Sequence, residues 1–512
     1  NDSPRTAYRT PKLLDSIKHS SSMALSRGLA LWLLSSLVAQ GACRGCAGSG
    51  CESEDHQGLV THFSSGAGDD LALLQKKPKK KAKKSGNVTG KRLQWPVPEI
   101  LDEVPPVARA SSGSWKEEQQ QYTSALPMEQ CHMKAARGGK GAKGCAFNSM
   151  SSESIYAVHP GGLTACLDSN APFYFLVRRG DPKKLLFALD GAGACWNKGS
   201  FDREAYGCVK KPSPGPWSGM LDVTDKRNPY YGYTVVRVVD CSGDLFAGNA
   251  ASAWGKNGTL VQQRGYQNTK AALEWSLLQF PQLSNLAVLG HSTGALGVQY
   301  WADRILTTFA DRNASAVVHS DSFIGWVEPK EGLQATQAYI NNDVWNVCKN
   351  LALSAKHQKA CVAGEFTFQS HFADTMKLHK EALFTMVSSK ADMTQIAFNS
   401  FFNPDLTKAS WYWAANFQLQ AFGWYPNFRV YLLDGDAHRQ ISRDSFYTAK
   451  QAGTTAESQV PTLLEWITAI AKCDWPLEEH QLLGHVCNGK MVTVMSGATE
   501  PSDSNYCDES LF

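Results

Sequence analysis

The stretch that most limits what this chain can fold into is Asn285 to Phe309, NLAVLGHSTGALGVQYWADRILTTF. A short apolar run, Leu286 to Leu289, leads into Gly290-His291-Ser292-Thr293-Gly294, and Val298, Ala302, Ile305 and Phe309 follow at helical spacing. The order is strand, tight turn, helix. A serine between two glycines at such a junction is the pattern of a nucleophile elbow: the serine backbone is strained, its Oγ projects from the sheet edge, and only glycine lets neighbouring segments come close. The helix behind it aims its positive end at the place where a reacting carbonyl would carry negative charge. A plain Gly-rich loop could carry the same five letters, and the flanking strand and helix patterns favour the elbow.

With 43% hydrophobic and 19% charged residues, the chain has the composition of a globular protein with a substantial core. Its 512 residues suit two or three average domains, or equally one large α/β domain with insertions. Much of the formal charge of +4 comes from one run, Lys76 to Lys84, and nothing outside it suggests a nucleic-acid surface. Residues 1–22 precede Met23 and read as a leader foreign to the natural protein. Residues 23–41 read as a secretory signal peptide: Arg27, a short apolar core from Gly28 to Val38, and a small-x-small site ending at Gly41. That core is too short to span a bilayer, so a secreted or secretory-lumen protein without a stable membrane span is expected.

Residues 42–128, rich in Lys, Gly, Ser and Pro and without sustained period, read as a disordered tail and linker, its lysine run being a solvated charge run. Residues 129–512 read as the catalytic domain. Fourteen cysteines in a secreted chain point to disulfides. Cys43, Cys46 and Cys51 lack a fourth partner for a metal site, and no cofactor or metal is expected. Eleven cysteines lie from Cys131 onward, an odd number, so one is either free or paired outside that region. Asn87, Asn257 and Asn313 head glycosylation triplets.

Phe173 to Arg178 and Leu185 to Leu189 read as neighbouring strands joined at Gly180-Asp181-Pro182. A third strand, Thr234 to Val239, precedes a helix from Gly265 to Phe280 with Ala271, Trp275 and Leu278 on one face. After the elbow come strands at Ala316 to His319, Ala382 to Val387 and Phe428 to Leu433, and a closing helix from Thr462 to Lys472. This alternation predicts an α/β chain with a mostly parallel central sheet and helices on both faces. Residues 326–381, with the close pair Cys348 and Cys361, read as a helical cap insertion; Cys473, Cys487 and Cys507 staple a C-terminal tail.

A serine hydroxyl needs a base, normally a histidine oriented by a carboxylate, and in this architecture acid and histidine follow the last strands in the order Ser, Asp or Glu, His. His438 follows the strand ending VYLL across Asp434-Gly435-Asp436 and is the expected base. His319 reads as a core histidine, and His357, His371 and His379 as cap residues. Asp392 is the expected acid and Asp321 the runner-up, with Asp434 and Asp436 as turn residues. The oxyanion should meet backbone N–H groups of Thr293 and of the turn Gly191-Ala192-Gly193-Ala194, with Ala192 and Gly193 as the expected donors.

Leu189-Asp-Gly-Ala-Gly-Ala-Cys-Trp196, Cys241-Ser-Gly-Asp244, Arg264-Gly-Tyr266, Gly290-His-Ser-Thr-Gly-Ala-Leu-Gly297 and His319-Ser-Asp-Ser322 stand in an order that resembles the pectin acetylesterase and Notum family. The resemblance runs from about Phe173 to Ile441. It implies an α/β-hydrolase-like serine esterase with a metal-free triad of Ser292, Asp392 and His438, and Asp321 supporting the site. It also implies an ester on a large extracellular molecule as substrate. The chain departs from the family where Ala192 interrupts three glycines and where Ser292-Thr-Gly-Ala295 replaces Ser-Ala-Gly-Gly.

The expected function is therefore a secreted, monomeric carboxylesterase removing acyl groups, acetyl foremost, from extracellular polysaccharide such as pectin. The alternatives are a Notum-like protein O-deacylase with a deep apolar pocket, and an inactive relative that binds glycans through Trp411, Tyr412 and Trp413.

Overall fold

The computed structural model describes residues 126–133, 144–203, 207–254, 258, 260–325, 340–350, 352–423, 425–433, 435–450 and 461–472, with the backbone alone of 485–487 and 490–492. The leader, the signal peptide, the lysine run and all three C-terminal cysteines' side chains lie outside the described residues, as do Asn87, Asn257 and Asp434.

Nine strands form the central sheet: β1 (Met128–His132), β2 (Ile155–His159), β3 (Phe175–Arg178), β4 (Asp181–Leu189), β5 (Tyr233–Val238), β8 (Asn285–His291), β9 (Ser315–Asp321), β10 (Leu383–Ser389) and β11 (Phe428–Leu433). Their order is β1-β2-β3-β5-β4-β8-β9-β10-β11. The short strands β6 (Ala250–Ser252) and β7 (Val261–Gln263) pair separately. Pairing is parallel except where β3 meets β2 and β5. The mostly parallel sheet agrees with the strand and helix alternation of the sequence.

One adjacency differs from the sequence reading. β3 and β4 are not neighbours, because β5 lies between them. Only Arg179 and Gly180 connect the two, and the chain steps across the start of β5: the Gly180 N–H donates to Thr234 Oγ1 at 3.0 Å and the Asp181 N–H to Gly232 O at 2.9 Å. A Cβ on Gly180 would stand 2.4 Å from Tyr233 O, so this crossing needs glycine. A hairpin and such a crossing look alike in one dimension, since both need a short connection with glycine.

Strand residues alternate between two cores. Leu185, Phe187, Leu189, Val288 and Phe384 face the larger one, together with Trp275, Ile305, Phe309, Phe372 and Trp411. Leu186, Ala188, Ala287, Leu289 and Val387 face the other, covered by Leu463, Trp466 and Ile470. The helices are α1 (Lys198–Asp202), α2 (Gly265–Gln279), α3 (Thr293–Phe309), α4 (Ala355–Ala363), α5 (Phe368–Leu378), α6 (Met393–Ser400), α7 (Lys408–Gly423) and α8 (Leu463–Lys472). Val298, Ala302, Ile305 and Phe309 of α3 are all buried, as their spacing predicts. On α2 the buried face is rotated by about one residue from the expected one: Trp275 is buried with Ala272 and Leu273, whereas Leu278 is 74% exposed. Asn268 fixes that rotation by bonding both the N–H and the C=O of Ala165.

Of the interval 326–381, residues 326–339 and 351 lie outside the described residues. α5 packs in the helical layer beside α3, where the His371 ring meets the Tyr300 carbonyl at 3.0 Å. Trp345 and Asn350 hold down the loop that follows β5, through Asn249 N–H to Trp345 O at 2.7 Å and an Asn350 side-chain bond to Ala247 O. Four disulfides occur among the described residues: Cys131–Cys145, Cys166–Cys241, Cys195–Cys208 and Cys348–Cys361.

Candidate active site

Ser292 sits between β8 and α3 with φ 56° and ψ −129°, a strained conformation for a residue with a Cβ. The neighbouring glycines make that turn feasible. A Cβ on Gly290 would meet Gly294 O at 2.1 Å, and one on Gly294 would meet Leu189 O at 2.1 Å. The Ser292 N–H is held by Asp321 O at 2.8 Å. A strained serine between two closely packed glycines is the backbone geometry that a nucleophile elbow requires.

His438 brings its Nε2 to 2.8 Å from Ser292 Oγ, and its Nδ1 to 2.8 Å from Asp392 Oδ2 and 3.0 Å from Oδ1. A carboxylate only accepts, so Nδ1 carries the proton and Nε2 is left to accept from the serine hydroxyl. Asp392 is fully buried at the N-terminus of α6, where it also accepts from the N–H groups of Thr394 and Gln395 and from Gln395 Nε2. The three residues come together from the ends of β8, β10 and β11, so the sheet edge places them.

The runner-up carboxylate has another task. Asp321 accepts from the N–H groups of Gln440 and Ile441 and from Ser322 Oγ, which fixes the loop just after His438. Burial pushes its carboxyl up to about 6. His319 is the core histidine its position predicted, bonded to Tyr230 Oη and Thr385 Oγ1 and pushed down by burial to about 3. His357, His371 and His379, read as cap residues, are buried, because they pack between α3, α4 and α5. Of the three aromatics considered for glycan binding, Trp411 and Tyr412 are core residues, 1% and 3% exposed, and only Trp413 is open to solvent.

The oxyanion turn departs from expectation at one residue. Ala192 does not offer a free N–H: it donates to Thr293 Oγ1 at 3.0 Å. The Gly191 N–H likewise goes to His291 Nε2 at 3.2 Å. Gly193 adopts φ +74°, and a Cβ there would stand 1.8 Å from Gly207 O. Burial, with Arg439 nearby, keeps His291 well below the usual histidine range and therefore neutral, able to accept from Gly191.

Ser292 and His438 open into a cleft of about 630 Å³ whose wall includes Val209, Lys210, Lys211 and Pro214, a stretch the sequence did not single out. Its signal in the letters was indirect, the cysteine that immediately precedes it, Cys208. Cys195–Cys208 ties this wall to the 191–195 turn, and Val209 N–H bonds Ala192 O at 3.0 Å. Behind it the Arg237 Nε–H is shared by the two Asp190 oxygens at 2.7 and 2.9 Å and Nη1 donates to Gly215 O at 2.9 Å, an ion pair almost wholly shielded from water. Replacing Cys195 and Cys208 together by serine should cost about 3 kcal/mol of stability, as expected for a loop of this length. Urea unfolding of the double variant checks this; an unchanged midpoint would mean that the disulfide does not hold the wall.

The pectinacetylesterase family model matches residues 155–422, more than half of the chain. The chain belongs to the pectinacetylesterase family. It is accordingly a carboxylic ester hydrolase. The family match includes Ser292 and Asp392 and ends before His438, whose place beside them comes from the fold. A solved structure titled as the Wnt deacylase Notum from Drosophila is similar to this chain with a TM-score of 0.42 and 17% identity, over 57% of this chain and 89% of that one. No curated protein matches the sequence. No helix among the described residues is long and apolar enough to cross a membrane. Nor do the described residues include a group of His, Cys, Asp and Glu that could hold a metal ion.

Proposed function

We propose that this pectinacetylesterase-family protein is a secreted serine esterase that removes short acyl groups, acetyl foremost, from extracellular polysaccharide. The observation that carries this reading is the continuous relay Asp392–His438–Ser292, with 2.8 Å at both junctions, opening into a cleft. His438 Nε2 takes the Ser292 proton as Oγ attacks the ester carbonyl, and the imidazolium is stabilised by Asp392. The tetrahedral oxyanion is received by the main-chain N–H groups of Gly193 and Thr293, at the N-terminus of α3. His438 returns its proton to the departing sugar hydroxyl, leaving an acyl-serine. Water, deprotonated by the same imidazole, then releases the carboxylate.

The cleft favours a small acyl group on a polar carrier. Its described walls carry two lysines, two arginines, three glycines, two serines and one proline. The large apolar side chains nearby in the sequence, Trp196, Phe323, Phe398 and Phe402, are spent on one another in edge and tilted ring contacts and are no more than 4% exposed. Four disulfides fit an oxidising compartment and hence secretion.

Purified protein is expected to react with a fluorophosphonate probe and to release acetate from acetylated pectin or xylan. A fatty-acylated peptide should be hydrolysed at least about a hundredfold more slowly, as missing apolar burial of a long chain implies. Labelling without acetate release, and with rapid loss of the fatty acyl group, would replace this substrate class by a lipidated protein. Absence of labelling would leave a glycan-binding protein without catalysis.

A further inference from the structure

Three consecutive residues of the elbow touch the turn that closes over the nucleophile. A Cβ on Gly191 would lie 2.4 Å from the Ser292 Cβ and 2.6 Å from His291 O, so the turn packs directly on the serine side chain and the backbone before it. The side chains on either side of Ser292 take the amides of that turn: His291 accepts from Gly191 and Thr293 accepts from Ala192. Both are buried, 3% and 2% exposed, which denies the two amides an easy exchange with water.

The Thr293 hydroxyl is itself anchored. It donates to Asp240 Oδ2 at 3.3 Å, and Asp240 Oδ1 is held by the N–H groups of Ser242 and Gly243. Asp240 stands just past the end of β5, so the chain Ala192–Thr293–Asp240 links the turn after β4, the start of α3 and the loop after β5. A hydroxyl that accepts from an amide while donating to a carboxylate is polarised in a consistent direction, which strengthens both bonds. The opposite side of the turn is fixed by Val209 N–H on Ala192 O and by Cys195 N–H on Gly243 O, at 3.0 and 2.9 Å. Ala192 and Thr293, about a hundred residues apart in the chain, are thus bonded to each other.

We infer that the Thr293 hydroxyl is a positioning residue that pins the Gly191–Ala192 turn on the nucleophile, so that Gly193 and the Thr293 main chain, not Ala192, receive the oxyanion. The inference rests on Ser292 being the nucleophile. Pinning serves catalysis because oxyanion donors act through being fixed in advance; a turn free to move relative to Ser292 must be ordered during the reaction. A binding surface elsewhere in the cleft is unaffected, so the loss should fall on turnover and not on substrate affinity.

The test compares Thr293→Val, which deletes the hydroxyl and keeps the branched shape, with Thr293→Ser, which keeps the hydroxyl. Both are assayed on a small soluble acetyl ester, with kcat expressed per site titrated by fluorophosphonate. Thr293→Val is expected to lower kcat about ten- to a hundredfold with KM within about twofold, and Thr293→Ser to stay within about threefold of the parent. A lowered melting temperature with unchanged kcat per titrated site makes the hydroxyl merely structural and overturns the inference. A Thr293→Val enzyme as fast as the parent, or faster, also overturns it, since Ala192 would then be an oxyanion donor that Thr293 holds back. Should the valine variant fail to fold, Thr293→Ala removes the same hydroxyl from a smaller side chain and is read by the same criteria. A parent protein whose Ser292 is neither labelled nor needed for hydrolysis overturns the nucleophile assignment itself, an outcome distinct from a labelled, active parent indifferent to Thr293→Val.

Discussion

Replacing Ser292 by alanine is expected to lower kcat for acetyl-ester hydrolysis by about a million-fold, to the level left by binding and oxyanion stabilisation alone. No other described hydroxyl is bonded to His438: Ser322 Oγ, on the adjoining loop, is taken by Asp321 Oδ1 and by the Arg439 N–H. The methyl group of alanine leaves the elbow intact, because the strain at φ 56° is already borne by a residue with a Cβ. His438→Ala should cost about as much, and the double variant little more, since base and nucleophile act as one unit. Acetate release and fluorophosphonate labelling check this, with circular dichroism to confirm the fold. More than about one part in a thousand of the parent rate in a well-folded Ser292→Ala protein would sink the mechanism.

Asp392→Asn should cost about ten-thousandfold in kcat while lowering stability by only about 1 kcal/mol. The two effects separate because the carboxylate has two duties. Its Oδ1 caps α6 by accepting from Thr394 and Gln395, at 3.0 Å each, and an asparagine carbonyl can do the same. The asparagine amide nitrogen then occupies the place of Oδ2, 2.8 Å from His438 Nδ1. It donates where the nearer carboxylate oxygen accepted, which favours the imidazole tautomer with its proton on Nε2, and that tautomer cannot take one from Ser292. The new amide also faces Gln395 Nε2, whose carbonyl is committed to the Ile324 N–H, a mismatch of about 1 kcal/mol. Turnover of the variant, set beside its urea unfolding curve, tests this. A parallel fall in both, or a rate within tenfold of the parent, would show that the carboxylate only supports the helix.

The parts of the site that were legible in the sequence are those governed by local rules. The elbow could be read because glycine at two positions beside a serine has one strong physical reason, close backbone approach, and the structure shows that approach at Gly290 and Gly294. Asp392 and His438 could be placed because each follows an apolar run that had to be a strand, and parallel strands deliver their following loops to one edge. The core role of His319 followed from its place near the end of an inner strand.

What the letters left open depends on neighbours distant in the chain. The interposed β5, the one-residue rotation of α2 and the burial of His357, His371 and His379 are choices among packings of similar local propensity. The commitment of the Ala192 amide is of the same kind. An N–H in a small-residue turn is a donor wherever it goes, and only the approach of Thr293, about a hundred residues later, decides which oxygen receives it. Sequence therefore determined which residues could do chemistry and the edge on which they stand. Tertiary structure decided how each donor and acceptor is spent, because hydrogen-bond partners are set by distances of a few tenths of an ångström between segments that no local pattern relates.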